Sequence, residues 1–331
     1  MPGRLNNLVI SFQYRFECAG DLADLSDAIS HQQRAVNLTP EGHADMPSLL
    51  NNLGTAFEFR FEHTGDLADI SDAISHQQRA VHLTPEGHAN MPGSLSNLGN
   101  ALQYRFQCTG DLADISDAIL YKQKAVHLTP EGHADMPSRL YDLGMSFQCR
   151  FEHTGDFSNI SDAISYQQRA VQLTPEGHAN MPSQLGGLGS ALQHRFKRTG
   201  DLSDISDAIS HQQRAVHLTP EGHANMCNCL NNLGNAFQCR FECTGDLADI
   251  SDSILYKQRA VHLSPEGHAV MPTLLSNLGT SFQYRFEHTG DLADISNAIS
   301  HQQRAVHLTP EGHANMPSCL NNLGNAFLCR F

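Results

Sequence analysis

Apolar residues between positions 46 and 64 recur at helical spacing: Leu50, Leu53, Phe57 and Phe61, with Gly54 and Ala56 as small neighbours. Steps of three and four residues place them on one face, which predicts an amphipathic helix. Asp45 is its expected N-cap, and Pro47 sits in the first turn, where a missing N–H costs little. The stripe stops near Thr64-Gly65. A second one follows, made of Leu67, Ile70, Ala73, Ile74, Ala80, Val81 and Leu83. Asp66 is the expected cap of this second helix, and Asp69, three residues on, resembles the far member of a capping box. Thr84-Pro85-Glu86-Gly87 predicts a type I turn, with proline second and glycine fourth. Residues 46–90 therefore read as a helical hairpin, each helix about 17 residues or roughly 25 Å long.

The same pattern returns every 45 residues. Full units span 1–45, 46–90, 91–135, 136–180, 181–225, 226–270 and 271–315, and residues 316–331 begin an eighth. One hairpin alone leaves both apolar stripes wet; stacking it on copies of itself buries them continuously. The chain is expected to be all-α, an α-solenoid of about fifteen helices. No linker, low-complexity tract or composition shift divides it, so 1–331 reads as a single repeat domain.

Charge narrows the partners. The 331 residues include 35 acidic and 21 basic side chains, a formal net charge of −14. Nucleic acid is disfavoured, because affinity for phosphate backbones comes mainly from Lys and Arg. An anionic membrane surface is disfavoured for the same reason. The opening MPGRLNNLVISFQYRF lacks the long apolar core of a secretory signal. No stretch approaches the roughly 18 apolar residues of a membrane span. The nine cysteines do not recur in every unit and read as free thiols of a reducing, cytoplasmic compartment.

The pentapeptide PEGHA occurs at 40–44 and at each 45-residue step up to 310–314. It carries a glutamate and a histidine two residues apart, as in Glu86 and His88, the residue types of an acid–base pair or a metal ladder. Histidines of neighbouring hairpins would stand about 8–10 Å apart. Zinc holds its ligands about 2 Å away, so the motif reads as a polar connector. His76 and His82, six apart on a helix, do not share a face. Cys227, Cys229, Cys239 and Cys243 cluster in sequence, but Cys229 and Cys239 lie about 15 Å apart along one helix and cannot close a four-ligand zinc site. Asp66, Asp69 and Asp72 lack the calcium-loop pattern and suit a first helical turn. Arg60, near the end of the first helix, is placed to pair with a neighbouring aspartate. No phosphate loop, HExxH or GxSxG occurs. The reading is of a protein without catalytic residues, metal or cofactor, and not an enzyme.

The unit resembles a tetratricopeptide repeat. Leu50 stands at the family's usual Trp position, Leu53-Gly54 match its Leu-Gly, and Phe57 matches the next aromatic. Ala73, Ala80 and Pro85 match its small residues and proline, and AILYKQKAVHLTP (118–130) is similar to a typical second helix. The unit is longer than the family's usual 34 residues, like the long repeats of kinesin light chain and of fungal arrays with LNNLG-type units. The second-helix aromatic is replaced by Gln32, Gln77, Lys122, Gln167, Gln212, Lys257 and Gln302, and the first unit has Val9 where the others have glycine. The resemblance implies a right-handed superhelix with a concave groove lined by the first helices. It also implies an alternative role, because similar arrays accompany CHAT protease or NACHT-type domains: a sensor or regulatory segment of a longer effector.

On that implied groove lies a polar stripe, Ser48, Asn52, Thr55 and Phe59 in the second unit. The asparagine column runs Asn7, Asn52, Asn97, Asp142, Gly187, Asn232, Asn277 and Asn322. An amide both donates and accepts, so it can pair with the backbone of an extended peptide whatever its sequence. The adjacent column varies: Tyr14, Phe59, Tyr104, Cys149, His194, Cys239, Tyr284 and Cys329. The asparagines, with Tyr14, Phe59, Tyr104 and Tyr284, are the candidate peptide-binding residues. The competing reading is that the asparagines bond one another across units and the aromatics cover neighbouring helices. The expected function is a protein–protein interaction scaffold holding a peptide or helix. Self-association through the unpaired last helix is a further expectation.

Overall fold

The computed structural model describes Arg15, residues 21–265 and 267–310, His313 and residues 315–330. Fourteen helices and no strand occur among the described residues. They are α1 (Leu22–Leu38), α2 (Met46–Thr64), α3 (Leu67–Leu83), α4 (Met91–Thr109), α5 (Leu112–Leu128), α6 (Met136–Thr154), α7 (Phe157–Leu173), α8 (Met181–Thr199), α9 (Leu202–Leu218), α10 (Met226–Thr244), α11 (Leu247–Leu263), α12 (Met271–Thr289), α13 (Leu292–Leu308) and α14 (Met316–Arg330). Val9 lies outside the described residues.

Two compact units are present, Met1–Ala170 and Val171–Phe331, the division falling inside α7. In the first, α2 packs on α3 and α4 on α5 as hairpins, and α3 meets α4 and α5 meets α6. In the second, α8–α9, α10–α11 and α12–α13 form hairpins, and α9, α11 and α13 each pack on the next first helix. First helices also touch directly, α2 with α4, and α8 with α10, α10 with α12, α12 with α14. Each unit is thus a stack of antiparallel helix pairs, the architecture of an α-solenoid.

The apolar stripes account for this stacking. Leu50, Leu53, Ile70, Leu98, Ile115, Leu140 and Ile160 are wholly buried in the first unit, as are Leu185, Leu230, Ile250 and Ile295 in the second. Each such side chain contributes roughly 1.5–3 kcal/mol by leaving water. Gly54 is required by the hairpin itself. A Cβ there would come 2.6 Å from Cγ of Gln77 and 3.0 Å from the Ala73 carbonyl. The glycine column therefore makes room for the glutamine or lysine that replaces the second-helix aromatic.

Between the helices of a hairpin, Thr-Gly-Asp makes the turn. Thr64 Oγ1 donates to the Arg60 carbonyl and accepts from the Asp66 N–H. Gly65 takes φ 70°, a left-handed C-cap that suits glycine. Asp66 caps α3 through Oδ1, which accepts from the Ala68 N–H at 2.9 Å.

Three local expectations are corrected. Asp45 occupies the N-cap of α2 but its side chain makes no capping bond. Asp69 does not complete a capping box; its carboxylate turns inward, where Arg60 binds it in a fork at 2.8 and 2.5 Å. That fork recurs at Arg105–Asp114, Arg195–Asp204, Arg240–Asp249 and Arg285–Asp294. The turn begins at Pro85 rather than Thr84. His88 N–H donates to the Pro85 carbonyl at 3.1 Å. Gly87, now third in the turn, has φ +77°, the positive value that a type II pattern places there. Thr84 instead ends α3, its Oγ1 donating to the Ala80 carbonyl at 2.7 Å.

Candidate functional site

The connectors explain the PEGHA histidine. The His88 carbonyl accepts from the Met91 N–H at 2.9 Å, opening α4. Its ring Nδ1 accepts from the Asn90 N–H at 3.1 Å. The same ring contact is made by His43, His133, His178, His223, His268 and His313. The histidine thus does the work of a short polar cap, satisfying an N–H that would otherwise be orphaned at a helix start. Among the described residues no three His, Cys, Asp or Glu side chains are grouped so as to hold a metal ion.

In the first unit these connectors border a cleft of about 1010 Å³. Its walls come from three successive turns, around His43, His88 and His133, and from the first turns of α2 and α4, including Ser48 and Ser94. Asn51, Asn52 and Asn97 also line it. Charges at the rim are largely balanced: Arg139 donates to Asp135 at 3.0 Å and to Thr129 Oγ1 at 2.6 Å.

The candidate residues divide. Asn52 and Asn97 reach the cleft; Phe59 and Tyr104 do not line it. Asn97 Nδ2 donates to Asn51 Oδ1 of the preceding hairpin at 3.1 Å. In the second unit Asn277 donates likewise to Asn231, and Asn322 to Ser276 Oγ. The asparagine column thus forms cross-hairpin bonds, yet Asn52, Asn97, Asn232, Asn277 and Asn322 all remain half-buried and open to solvent. Tyr104 packs on Phe61 with ring centroids 6.3 Å apart, and Tyr284 on Phe241 at 6.5 Å. Burial, with hydrogen bonds to Glu62 and Glu242 respectively, raises both phenols above their usual pKa. Asn7 and Tyr14 lie outside the described residues.

Two buried cations lie below the column. Lys122 Nζ donates to Gln103 Oε1 at 2.7 Å and Ser146 Oγ at 2.8 Å. Lys257 Nζ repeats this with Gln238 at 2.6 Å and Ser281 at 2.8 Å. Burial lowers Lys122 to about 8 and Lys257 to about 7. Ser146 and Ser281 replace the alanine of Ala56, Ala101, Ala191 and Ala236, and each lies in the hairpin directly after a lysine. That co-occurrence is visible in the sequence. Glu58, where the other described first helices of the hairpins carry glutamine, is pushed up to about 7 by burial, against a hydrogen bond from Gln77.

The other chemical candidates resolve as packing. His76 stacks on Phe57 at 5.7 Å. Cys227, Cys229 and Cys239 are buried and Cys243 is exposed, all as free thiols. Burial raises Cys239 to about 11, which makes it a poor nucleophile.

No family model matches the sequence, and no curated protein matches it either. Solved structures do. The chain superposes on the C-terminal part of a tetratricopeptide-repeat-containing protein from Cytophaga hutchinsonii with a TM-score of 0.56 and 14% identity, over 98% of this chain and 99% of that one. It superposes on a chain of the Cut9–Hcn1 hetero-tetramer of the anaphase-promoting complex with a TM-score of 0.52 and 16% identity, over 91% of this chain and 52% of that one. The 45-residue hairpins, the Leu-Gly column that seats a second-helix side chain, and these superpositions together establish a tetratricopeptide-like α-solenoid fold.

Proposed function

We propose that the chain is a non-enzymatic interaction scaffold whose first unit binds an extended protein segment in the cleft bordered by Asn52 and Asn97. The observation that carries this reading is the cleft itself: about 1010 Å³, walled by backbone-rich turns, small residues and carboxamides. Such walls offer donors and acceptors without a strong charge, which favours backbone-directed recognition. The groove columns lack the clustered Lys and Arg that would grip a terminal carboxylate. The eight described free cysteines support a reducing, cytoplasmic setting. The unbroken 45-residue register supports reading 1–331 as one repeat domain.

Display of a random peptide library on the full chain tests the reading. Recovered peptides are expected to lose about tenfold in affinity, close to 1.4 kcal/mol, when Asn52→Ala and Asn97→Ala are combined. Peptides that bind the double variant as well as the wild type would remove the cleft from the account.

A further inference from the structure

Within the second unit, one hydrogen-bond pattern is complete on α12 and incomplete on α8. Ser276 of α12 joins two carboxamides. Its hydroxyl donates to Gln302 Oε1 at 3.2 Å and accepts from Asn322 Nδ2 at 3.0 Å. Gln302 Nε2 donates in turn to the Ser276 carbonyl at 2.9 Å. On α8 the same register position is Gly186, and Gly187 beside it replaces the asparagine of the column. The backbone bond is kept there: Gln212 Nε2 donates to the Gly186 carbonyl at 3.0 Å. The other two bonds have no hydroxyl to reach. Gln212 is only 1% exposed, and its Oε1 has no hydrogen-bond partner among the described residues. A Cβ added to Gly186 would meet that oxygen at 4.0 Å, so Oε1 faces the space the glycine leaves. Asn232 of α10, which packs on α8, is half-buried at the register of Asn277 and Asn322. Those two donate to the preceding first helix, whereas the Asn232 carboxamide makes no hydrogen bond among the described residues.

A buried acceptor without a donor is costly, and a group that supplies the donor recovers that cost. We propose that the notch over Gly186 and Gly187 seats the hydroxyl of a serine or threonine side chain from a bound protein segment, which donates to Gln212 Oε1 and accepts from Asn232 Nδ2. Ser276 shows that one hydroxyl satisfies such a pair of carboxamides. Other groups fit less well. A carboxylate cannot donate to Gln212, and an ammonium cannot accept from Asn232. A carboxamide does not complete the pair either: Asn51 accepts from Asn97, yet Gln77 Oε1 beneath it stays unpartnered. The hydroxyl is assigned to a protein segment because two successive glycines let another backbone approach closely. A serine side chain is also the size of what Gly186 lacks relative to Ser276. The site lies wholly in the second unit and does not depend on the cleft in the first.

The test displays random peptides against the full chain carrying Asn52→Ala and Asn97→Ala, so that the first-unit cleft does not supply the binding. Recovered peptides are expected to share a serine or threonine. Replacing that residue by alanine, or making Gly186→Ser in the chain, should each weaken binding about tenfold. The two changes combined should weaken it no more than either alone, because both remove the same contact. Asn232→Ala should weaken it too. Gly186→Ser puts a better helix former into open space, so that chain should keep the circular dichroism spectrum and thermal midpoint of its parent. Added peptide should also shift the side-chain amide NMR signals of Gln212 and Asn232. Recovery of no peptide, of peptides that share no hydroxyl, or of peptides that bind the Gly186→Ser chain equally well would each overturn the proposal. A shared asparagine or glutamine in place of the hydroxyl would overturn it as well.

Discussion

Lys122 in the first unit and Lys257 in the second hold the same register position and reach equivalent glutamine and serine partners, but different charged neighbours surround them. Desolvation dominates at both. Around Lys122 the carboxylates of Asp142 and Glu58 oppose it, and the pKa falls only to about 8. Around Lys257, Glu242 opposes it while Lys197 adds to it, and the pKa falls to about 7. The hairpin core thus accepts an amine where three oxygens converge, those of the glutamine, the serine and the Asp142 or Asn277 carbonyl, and charged residues on the first helices set how readily it is charged. The other described hairpins place glutamine there, and three of them leave a different defect: Oε1 of Gln77, Gln167 and Gln212 is buried without a partner, whereas Gln302 Oε1 accepts from Ser276. An ammonium only donates, so the lysines avoid that orphaned oxygen.

The sharpest way to break the comparison is Lys257→Gln. The folded pKa is depressed below the usual 10.5, so the unfolded chain binds more protons between about pH 7 and 10.5. Native stability therefore rises with pH across that window and is lost as pH falls toward 7. Each unit of depression is worth about 1.4 kcal/mol. In urea unfolding at pH 7 and pH 10, the variant should gain on the wild type at pH 7 by a few kcal/mol more than at pH 10. An unchanged difference between the two pH values would refute the buried charge.

Gly234→Ala comes next. Its Cβ would lie 2.7 Å from Lys257 Cγ and 3.1 Å from the Ser253 carbonyl. A loss of about 1–3 kcal/mol is expected from overpacking. Gly324→Ala, with open space around it, should instead be neutral or gain up to about 1 kcal/mol from helix propensity. Equal effects at the two sites would contradict the seating of the lysine on the glycine.

Glu58→Gln, which installs the residue found at Gln103 and Gln238, gives an effect that depends wholly on pH. Here the sign reverses. The folded pKa is raised to about 7, so the stability associated with this carboxyl is present below about pH 4.5 and lost as pH rises through 7. The variant should therefore be more stable than wild type at pH 8 and lose that advantage at pH 4. It should also lower the Lys122 pKa, drawing it toward Lys257.

The hairpins were legible because Leu50, Leu53, Phe57 and Phe61 repeat a helical period that no other packing would bury. Asp66 and Gly65 were legible because caps follow local rules. Asp69 was misread for the same reason: its three-residue spacing from Asp66 fits a capping box, but its partner, Arg60, lies on the other helix. His88 was legible as part of a polar connector; what the motif did not show is that its ring nitrogen accepts from the Asn90 N–H, a task where Asn or Ser is customary. The candidate site was half legible. Asn52 and Asn97 follow from the column, whereas the cleft depends on how three connectors approach one another, which no single unit encodes. Tyr104 and Tyr284 turned out to rest on neighbouring phenylalanines, a cross-hairpin contact that periodicity alone does not show.

Hydrogen–deuterium exchange of the full chain with a display-selected peptide tests the central claim most directly. Slowed exchange is predicted in residues 43–52 and 88–97, the turns and first helical segments that wall the cleft. Protection confined to other segments, or no protection at saturating peptide, would contradict the account.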